Sequence, residues 1–204
     1  MSVEGLEDLL AEVRACTLCE GELEHGVRPV VQASAEASVL VAGQAPGRRV
    51  HASGVPFDDP SGERLREWMG VTREEFYDPA RIAILPMGFC YPGTGRSGDL
   101  PPRPECAEAW RSRLLGRLPG LRLSLLIGKH AMDWHLGTRR QTLTETVRQW
   151  RVQGPACLPL PHPSPRNNRW LTRNPWFGEQ VLPVLRARVR AALRGSADPS
   201  RDSG

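Results

Sequence analysis

Lysine and long apolar runs are what this chain of 204 residues most clearly lacks. No apolar run approaches the roughly 20 residues that a transmembrane helix needs, so we expect no membrane span. The amino terminus has no basic stretch followed by an apolar one, which is the pattern of a secretion signal. Both absences favour a cytoplasmic protein.

Positive charge is carried almost wholly by arginine. Among 27 basic residues only Lys129 is a lysine, and with 23 acidic residues the net charge is +4. A modest positive charge is compatible with a phosphate-bearing partner but does not require one.

Five cysteines are present, and in a cytoplasmic protein they favour ligands or buried thiols over disulfides. Cys16 and Cys19 can point both sulfurs at one ion from a single turn. Cys90 lies at the end of the predicted second strand, and Cys106 begins the next helix. Four thiolates from two loops suit tetrahedral zinc or an iron–sulfur cluster, and spacing alone does not separate these from four buried thiols. Cys157 lies in an apolar run and is interpreted as core.

Short apolar runs alternate with helical patterns along the chain. The apolar runs cover residues 37–42, 81–87, 121–127 and 156–160. The helical patterns lie near residues 5–15, 61–69, 104–116, 129–136, 141–150 and 176–193. This alternation predicts one three-layer α/β/α domain over residues 1–194, with a central, mostly parallel four-stranded sheet. We expect a loop at residues 91–104 and a disordered tail at residues 195–204.

The loop at residues 43–47 (Gly-Gln-Ala-Pro-Gly) follows the first apolar run directly. Two glycines and a proline cannot continue a strand, so the chain must turn at the carboxyl end of that strand. Ligands of open α/β sheets bind at such ends. Together with Phe57, this loop is suited to hold a flat ring. An ordinary connection between a strand and a helix is the alternative interpretation.

A second turn, at residues 161–165 (Pro-His-Pro-Ser-Pro), follows the fourth apolar run. Prolines on both sides restrict the backbone around His162. An imidazole held in this way can donate to an oxygen that gains negative charge. A solvated loop with a capping histidine is the alternative. The residues after this turn form a pattern able to meet phosphates and unstacked bases: Arg166, Arg169, Trp170, Arg173 and Trp176.

Taken together, these stretches resemble the uracil-DNA glycosylase superfamily, in the order of its iron–sulfur-containing branch, family four. The residues that carry the resemblance are Cys16-Thr-Leu-Cys19, the loop 43–47, Pro56-Phe57 with Ser61-Gly62, Cys90 and Cys106 with fifteen residues between them, and His162-Pro163. The form His-Pro-Ser-Pro-Arg-Asn of residues 162–167 is closer to the single-strand-selective branch. The resemblance covers residues 5–190.

The resemblance implies a DNA glycosylase of base-excision repair, which flips a deaminated base out of DNA and hydrolyses its bond to deoxyribose. Uracil is the first candidate base and hypoxanthine the second. DNA with damaged or deaminated bases is the expected partner of a monomeric, nucleoid-associated bacterial protein. A [4Fe-4S] cluster is the implied cofactor, with zinc or no metal as alternatives, and its ligands would be Cys16, Cys19, Cys90 and Cys106.

The resemblance also implies roles for individual residues. Phe57 would stack on the flipped base, and His162 would hydrogen-bond the base oxygen on which charge accumulates. The candidate catalytic residues are His162, Gln44, Asp58 and Asp59. The candidate base-binding residues are Gly43, Ala45, Phe57, Pro86 and Met87. The candidate DNA-binding residues are Ser164, Arg166, Asn167, Arg169 and Arg173.

Two departures from the family pattern concern the substrate. Ala45 stands where the best-known uracil enzymes have a water-orienting aspartate, and neutral Gln44 stands where family four has glutamate. Because an amide cannot act as a base, we expect Asp58 or Asp59 to supply the carboxylate. Pro86 stands where the family has an asparagine that reads uracil, so uracil recognition must be rebuilt or the base is different.

Two other functions stay open on the sequence alone. An iron–sulfur protein that recognises damage without cutting would bind DNA in a salt-sensitive way with no turnover. An unrelated zinc protein would be colourless, whereas a [4Fe-4S] protein is brown.

Overall fold

The sheet at the centre of the molecule has four parallel strands. The computed structural model describes residues 4–96 and 98–194. Its strands are β1 (Val39–Ala42), β2 (Ile82–Ile84), β3 (Thr94–Gly95), β4 (Gly98–Asp99), β5 (Leu123–Ile127) and β6 (Cys157–Leu160). The sheet has the order β2-β1-β5-β6, whereas β3 and β4 form a separate antiparallel hairpin. Each predicted apolar run contains one strand of the sheet, so the predicted fold class is confirmed.

Helices occupy most of the connections between the strands. They are α1 (Glu4–Arg14), α2 (Arg48–Ser53), α3 (Pro60–Met69), α4 (Arg73–Phe76), α5 (Pro104–Cys106), α6 (Ser112–Leu115), α7 (Lys129–Leu136), α8 (Leu143–Arg148), α9 (Asn168–Arg173) and α10 (Leu182–Arg194). Single π-helical turns join α5 to α6 and lead into α10. The six predicted helical patterns are all present. The short helices α2, α4 and α9 were not predicted, because so few residues give no periodic signal.

Both faces of the sheet are covered. All residues of β1 and β2 are buried, as expected for parallel strands with helices on both sides. Helix α10 packs against β1, β5 and α3, while α7 packs against β5 and α8 against β6. The apolar side of α1 joins the same core.

The strand order fixes where a ligand can bind. From β1 the chain passes to β2 on one side, and it then crosses to β5 on the other side of β1. The loops that leave β1 and β5 therefore diverge, and open α/β sheets bind ligands at such a point.

Residues 91–104 are not one open loop, because they contain the β3–β4 hairpin. Sequence reasoning missed this hairpin because two-residue strands rich in glycine show no alternation. The predicted tail at residues 195–204 lies outside the described residues. Within the ranges 4–96 and 98–194, no helix is long and apolar enough to cross a membrane.

Candidate active site

A cleft of about 750 Å³ lies at the carboxyl ends of the strands. Its walls include the loop 43–47, residues 56–57 and 59–61, Pro86, the β3–β4 hairpin and residues 162, 164, 166 and 167. The volume falls in the range of roughly 300–1,000 Å³ that is usual for small-molecule sites. The two turns singled out in the sequence, at residues 43–47 and 161–165, therefore contribute to one cavity.

The loop 43–47 is held rigidly against the chain that leaves β2. The backbone N–H of Met87 donates to the Gly43 oxygen at 2.9 Å, and that of Gly88 donates to the Gln44 oxygen at 2.9 Å. These bonds continue the pairing of β1 and β2 beyond the strands themselves. The Gln44 side chain is also engaged, since its Nε2 donates to the Leu100 oxygen at 3.1 Å. The loop is thus fixed on two sides.

Phe57 has a strained backbone that its neighbours enforce. Its φ of +54° makes it the one non-glycine residue with positive φ in the described part of the chain. A Cβ at Gly62 would lie 1.8 Å from the Phe57 carbonyl oxygen, so only glycine fits there. The ring packs edge-on to Phe76, with centroids 6.1 Å apart, and lies next to Gly43. Strain of this kind is typical of functional sites.

The two aspartates after Phe57 have different surroundings. Asp59 lines the cleft and caps α3, where its Oδ1 accepts from the Gly62 N–H at 2.8 Å. Asp58 does not line the cleft, because its carboxylate pairs with Arg73 at 3.3 Å. Of these two candidate catalytic carboxylates, only Asp59 reaches the cavity.

His162 is held as a hydrogen-bond donor at the cleft. Its Nδ1 accepts from the Ser164 N–H at 3.2 Å, and Asn167 Nδ2 donates to its carbonyl oxygen at 2.8 Å. Burial lowers the pKa of His162 below its ordinary value of 6.5, and this outweighs the raising effect of Asp59 and Asp99. The ring is therefore neutral at pH 7, and because Nδ1 accepts, its proton is on Nε2. Among the described residues, nothing bonds to Nε2.

Pro86 lines the cleft, whereas Met87 lies beneath it in the core. Arg111 holds this segment from below, where its Nη1 donates to the Leu85 and Pro86 oxygens at 2.9 and 3.1 Å. Arg111 is only 1% exposed, and no described carboxylate pairs with it. Sequence reasoning missed Arg111 because its partners, two backbone oxygens and the His135 ring, are distant in the chain.

The candidate DNA-binding residues separate into two groups. Ser164, Arg166 and Asn167 line the cleft, and Ser164 Oγ fixes the turn by accepting from the Arg166 N–H at 3.2 Å. Arg169 and Arg173 are exposed on α9 and do not line the cleft. Three further charged residues of the cleft wall were not singled out from the sequence: Arg48, Arg49 and Asp99.

The two tryptophans near α9 serve packing instead of forming an open stacking face. Trp170 and Trp176 lie edge-on to each other and to Phe177, with centroids 5.8–6.4 Å apart. Trp170 Nε1 donates to Thr144 Oγ1 at 2.8 Å, and Trp176 Nε1 donates to Asn174 Oδ1 at 3.1 Å. Their rings and polar atoms are thus engaged within the protein.

The cysteines of the two pairs line a second, apolar cavity: Cys16, Cys19, Cys90 and Cys106. Burial, together with the smaller effect of the other cysteines of the group, raises the pKa of Cys90 to about 11 and that of Cys106 to about 12. Such thiols stay protonated at neutral pH unless a cation replaces the proton. Within the described residues, no three His, Cys, Asp or Glu side chains are grouped so as to hold a single metal ion. Cys157 lies apart from this cavity.

Each of these four sulfurs faces an N–H donor. The Trp110 Nε1 donates to Cys16 Sγ, and the Phe89 N–H donates to Cys106 Sγ, both at 3.3 Å. The Arg103 guanidinium faces Cys19 and the Arg28 backbone N–H faces Cys90, and each lowers the pKa of its thiol. Donors directed at sulfur stabilise thiolates more than thiols.

A family model for the Uracil DNA glycosylase superfamily matches residues 30–186 of the chain. The match contains the whole sheet and every segment that lines the cleft. It begins after Cys16 and Cys19, so it does not extend to the first cysteine pair.

Proposed function

Because the chain belongs to the uracil DNA glycosylase superfamily, we propose that it is a DNA glycosylase that removes a deaminated base, with uracil as the first candidate. The observation that supports this most directly is one cleft shared by a strained Phe57, the rigid loop 43–47 and a neutral His162. A flipped base needs a flat surface on which to stack and a donor for its carbonyl oxygen, and the cleft offers both.

In the proposed reaction, the bond between the base nitrogen and C1′ breaks and its electron pair leaves with the base. Negative charge spreads to a base carbonyl oxygen, and the Nε2–H of His162 donates to it. Because His162 is already neutral and bonded at Nδ1, it reaches this role without reorganisation. A preorganised donor of this type contributes roughly 2.7–4 kcal/mol to the transition state. Attack of water at C1′ completes the hydrolysis and leaves an abasic site.

The identity of the base that is removed is a separate part of the proposal. Pro86 offers no side-chain hydrogen bond at the place where the family reads uracil. Hypoxanthine, which also carries a carbonyl oxygen, is therefore the second candidate base. The absence of a carboxylate in the loop 43–47 favours one further candidate, a protein that binds damage with little or no turnover.

The test is a panel of oligonucleotides that contain uracil, hypoxanthine, cytosine or adenine, in single and double strands. We expect abasic product from uracil or hypoxanthine only. His162→Ala should slow excision by roughly 100- to 1,000-fold with DNA affinity little changed. His130→Ala, which alters an exposed histidine on α7, is the matched control. Salt-sensitive binding without product from any base would favour the damage-binding protein and contradict the glycosylase.

We also propose that Cys16, Cys19, Cys90 and Cys106 hold a [4Fe-4S] cluster. The donor set fits, since four sulfurs with N–H donors surround one apolar cavity. In zinc sites four sulfurs meet about 2.3 Å from one ion, whereas cluster ligands bind separate irons and lie further apart. Among the described residues, no three such side chains converge on one metal position, which favours a cluster over a single zinc ion. When bound, such a cluster would join the first cysteine turn to the chain that follows β2.

Iron and acid-labile sulfide analysis after anaerobic purification tests this proposal. We expect a brown protein with about four irons and four sulfides per chain. Cys106→Ser should lose both, whereas Cys157→Ser should keep them, because Cys157 lies outside the cavity. Colourless protein with stoichiometric zinc, or with no metal, would contradict the cluster and leave the glycosylase proposal intact.

A further inference from the structure

Asp99 stands at the cleft although nothing in its local sequence points there. It lies on β4, opposite Thr94 of β3, in the hairpin that falls between Cys90 and Cys106 in the sequence. Its Oδ2 lies 3.6 Å from the position that a Cβ on Gly47 would take. The carboxylate thus lies beside the end of the loop 43–47, which carries no carboxylate of its own.

The hairpin that carries Asp99 is anchored to the site. Gln44 Nε2 donates to the oxygen of Leu100, the residue after Asp99, at 3.1 Å. The Leu100 N–H donates to the Gly93 oxygen at 2.9 Å, and the hydroxyls of Tyr91 and Thr94 are hydrogen-bonded. Tyr91 itself is buried. The Gln44 side chain therefore helps to hold the hairpin segment that carries the Asp99 carboxylate.

Asp99 is also the cleft carboxylate with unused bonding capacity. Asp58 is paired with Arg73 outside the cleft, and Asp59 accepts the capping N–H of Gly62. No described residue donates to the Asp99 carboxylate or pairs with it. Asp99 and His162 both line the cleft, and the Asp99 charge acts to raise the pKa of His162 against the effect of burial.

We propose that Asp99 is the catalytic carboxylate that orients and deprotonates the attacking water. This inference rests on the proposed glycosylase function. The water oxygen bonds to C1′ as the bond from C1′ to the base nitrogen breaks, and the electron pair of that bond leaves on the base, beside the Nε2–H of His162. The water proton passes to the Asp99 carboxylate. While still ionised, the carboxylate also stabilises the positive charge that develops on the sugar.

The experiment compares Asp99→Asn with the wild-type protein in single-turnover excision at saturating enzyme. Asparagine keeps the shape of the side chain but cannot accept the proton. We expect excision to be roughly 100- to 10,000-fold slower. Affinity for a duplex with an uncleavable 2′-fluoro nucleotide should stay within about threefold. Asp99→Glu should recover part of the rate. Asp8→Asn, an exposed change on α1, is the charge-matched control.

The pH profile separates a catalytic from a merely structural role. The titratable groups that share the cleft with Asp99 are His162 and Asp59, beside arginines that stay charged: Arg48, Arg49 and Arg166. Asp99→Asn should change the shape of the pH–rate profile, which a merely structural role would leave as in the wild-type protein. An Asp99→Asn rate within threefold of wild type, or a loss explained by weaker binding alone, would overturn the proposal. Wild-type protein that releases no base would overturn the proposed function as well.

Discussion

Gly62→Ala should slow excision, because the added methyl group displaces the backbone of Phe57. A Cβ at residue 62 would lie 1.8 Å from the Phe57 carbonyl oxygen, 2.7 Å from its carbonyl carbon and 2.8 Å from its Cβ. Real Cβ atoms do not approach other atoms within 3.0 Å, so the two segments must separate by at least about 1.2 Å. Two of the three contacts are with backbone atoms, so no rotation of a side chain relieves them. The backbone of Phe57, with its positive φ, must therefore move.

The magnitudes predict a larger effect on activity than on folding. Overpacking costs about 1–3 kcal/mol, and loss of the Asp59 cap to the Gly62 N–H costs about 1 kcal/mol more. Alanine regains about 0.5–1 kcal/mol over glycine within a helix. We therefore expect the free energy of unfolding to fall by about 1–3 kcal/mol. A shift of about 1 Å at a reacting group can lower a rate by roughly 100-fold.

Urea unfolding and single-turnover excision on the best base of the panel measure the two effects. Gly178→Ala is the control, because it also lies in a helical turn but has no heavy atom within 4 Å of its Cβ position. We expect it to leave the rate unchanged and stability unchanged or slightly raised. A Gly62→Ala protein with wild-type rate, or with the same small changes as Gly178→Ala, would show that Phe57 does not need its strained backbone.

Two further predictions concern pH and salt. Burial and the Arg111 charge lower the pKa of His135 to about 3, from an ordinary 6.5. Below pH 6.5 the imidazole of His135 therefore binds a proton in the unfolded chain but not in the folded protein. The free energy of unfolding has its full value well above pH 6.5 and falls as the pH decreases. The loss between pH 7 and pH 5 should be about 2 kcal/mol in urea unfolding; His135→Gln should remove it, and an unchanged pH dependence would contradict it. Arg166→Ala should reduce the salt dependence of DNA binding by about one counterion; a slope equal to that of the control Arg14→Ala, on α1, would place Arg166 away from phosphate.

The sheet and the two turns could be predicted because their signals are local. A short valine- and leucine-rich run before Gly-x-x-Pro-Gly specifies a strand and its end without reference to the rest of the chain. Asp99 and Arg111 could not be predicted in this way. Their positions depend on how a glycine-rich hairpin folds back and on which backbone oxygens a helix meets. The different surroundings of Asp58 and Asp59 could not be predicted for a related reason, since adjacent aspartates look equivalent in sequence until one caps α3 and the other pairs with Arg73.

Recognition of the base depends on which polar groups the cleft leaves unused. The chain after β2 offers few, because Arg111 takes the Leu85 and Pro86 oxygens while the Met87 N–H is bonded to the loop 43–47. The Nε2–H of His162 is one group that stays free to meet a base edge. The Nε2–H donor and the Phe57 ring suit any flat base whose carbonyl oxygen lies opposite Nε2. A base with an amino group at that position would bring its own N–H donor against the Nε2–H donor, which is unfavourable. Under the proposed function, such a site would favour deaminated bases as a class, and Pro86, which has no side-chain hydrogen bond to offer, would leave the choice among them wide.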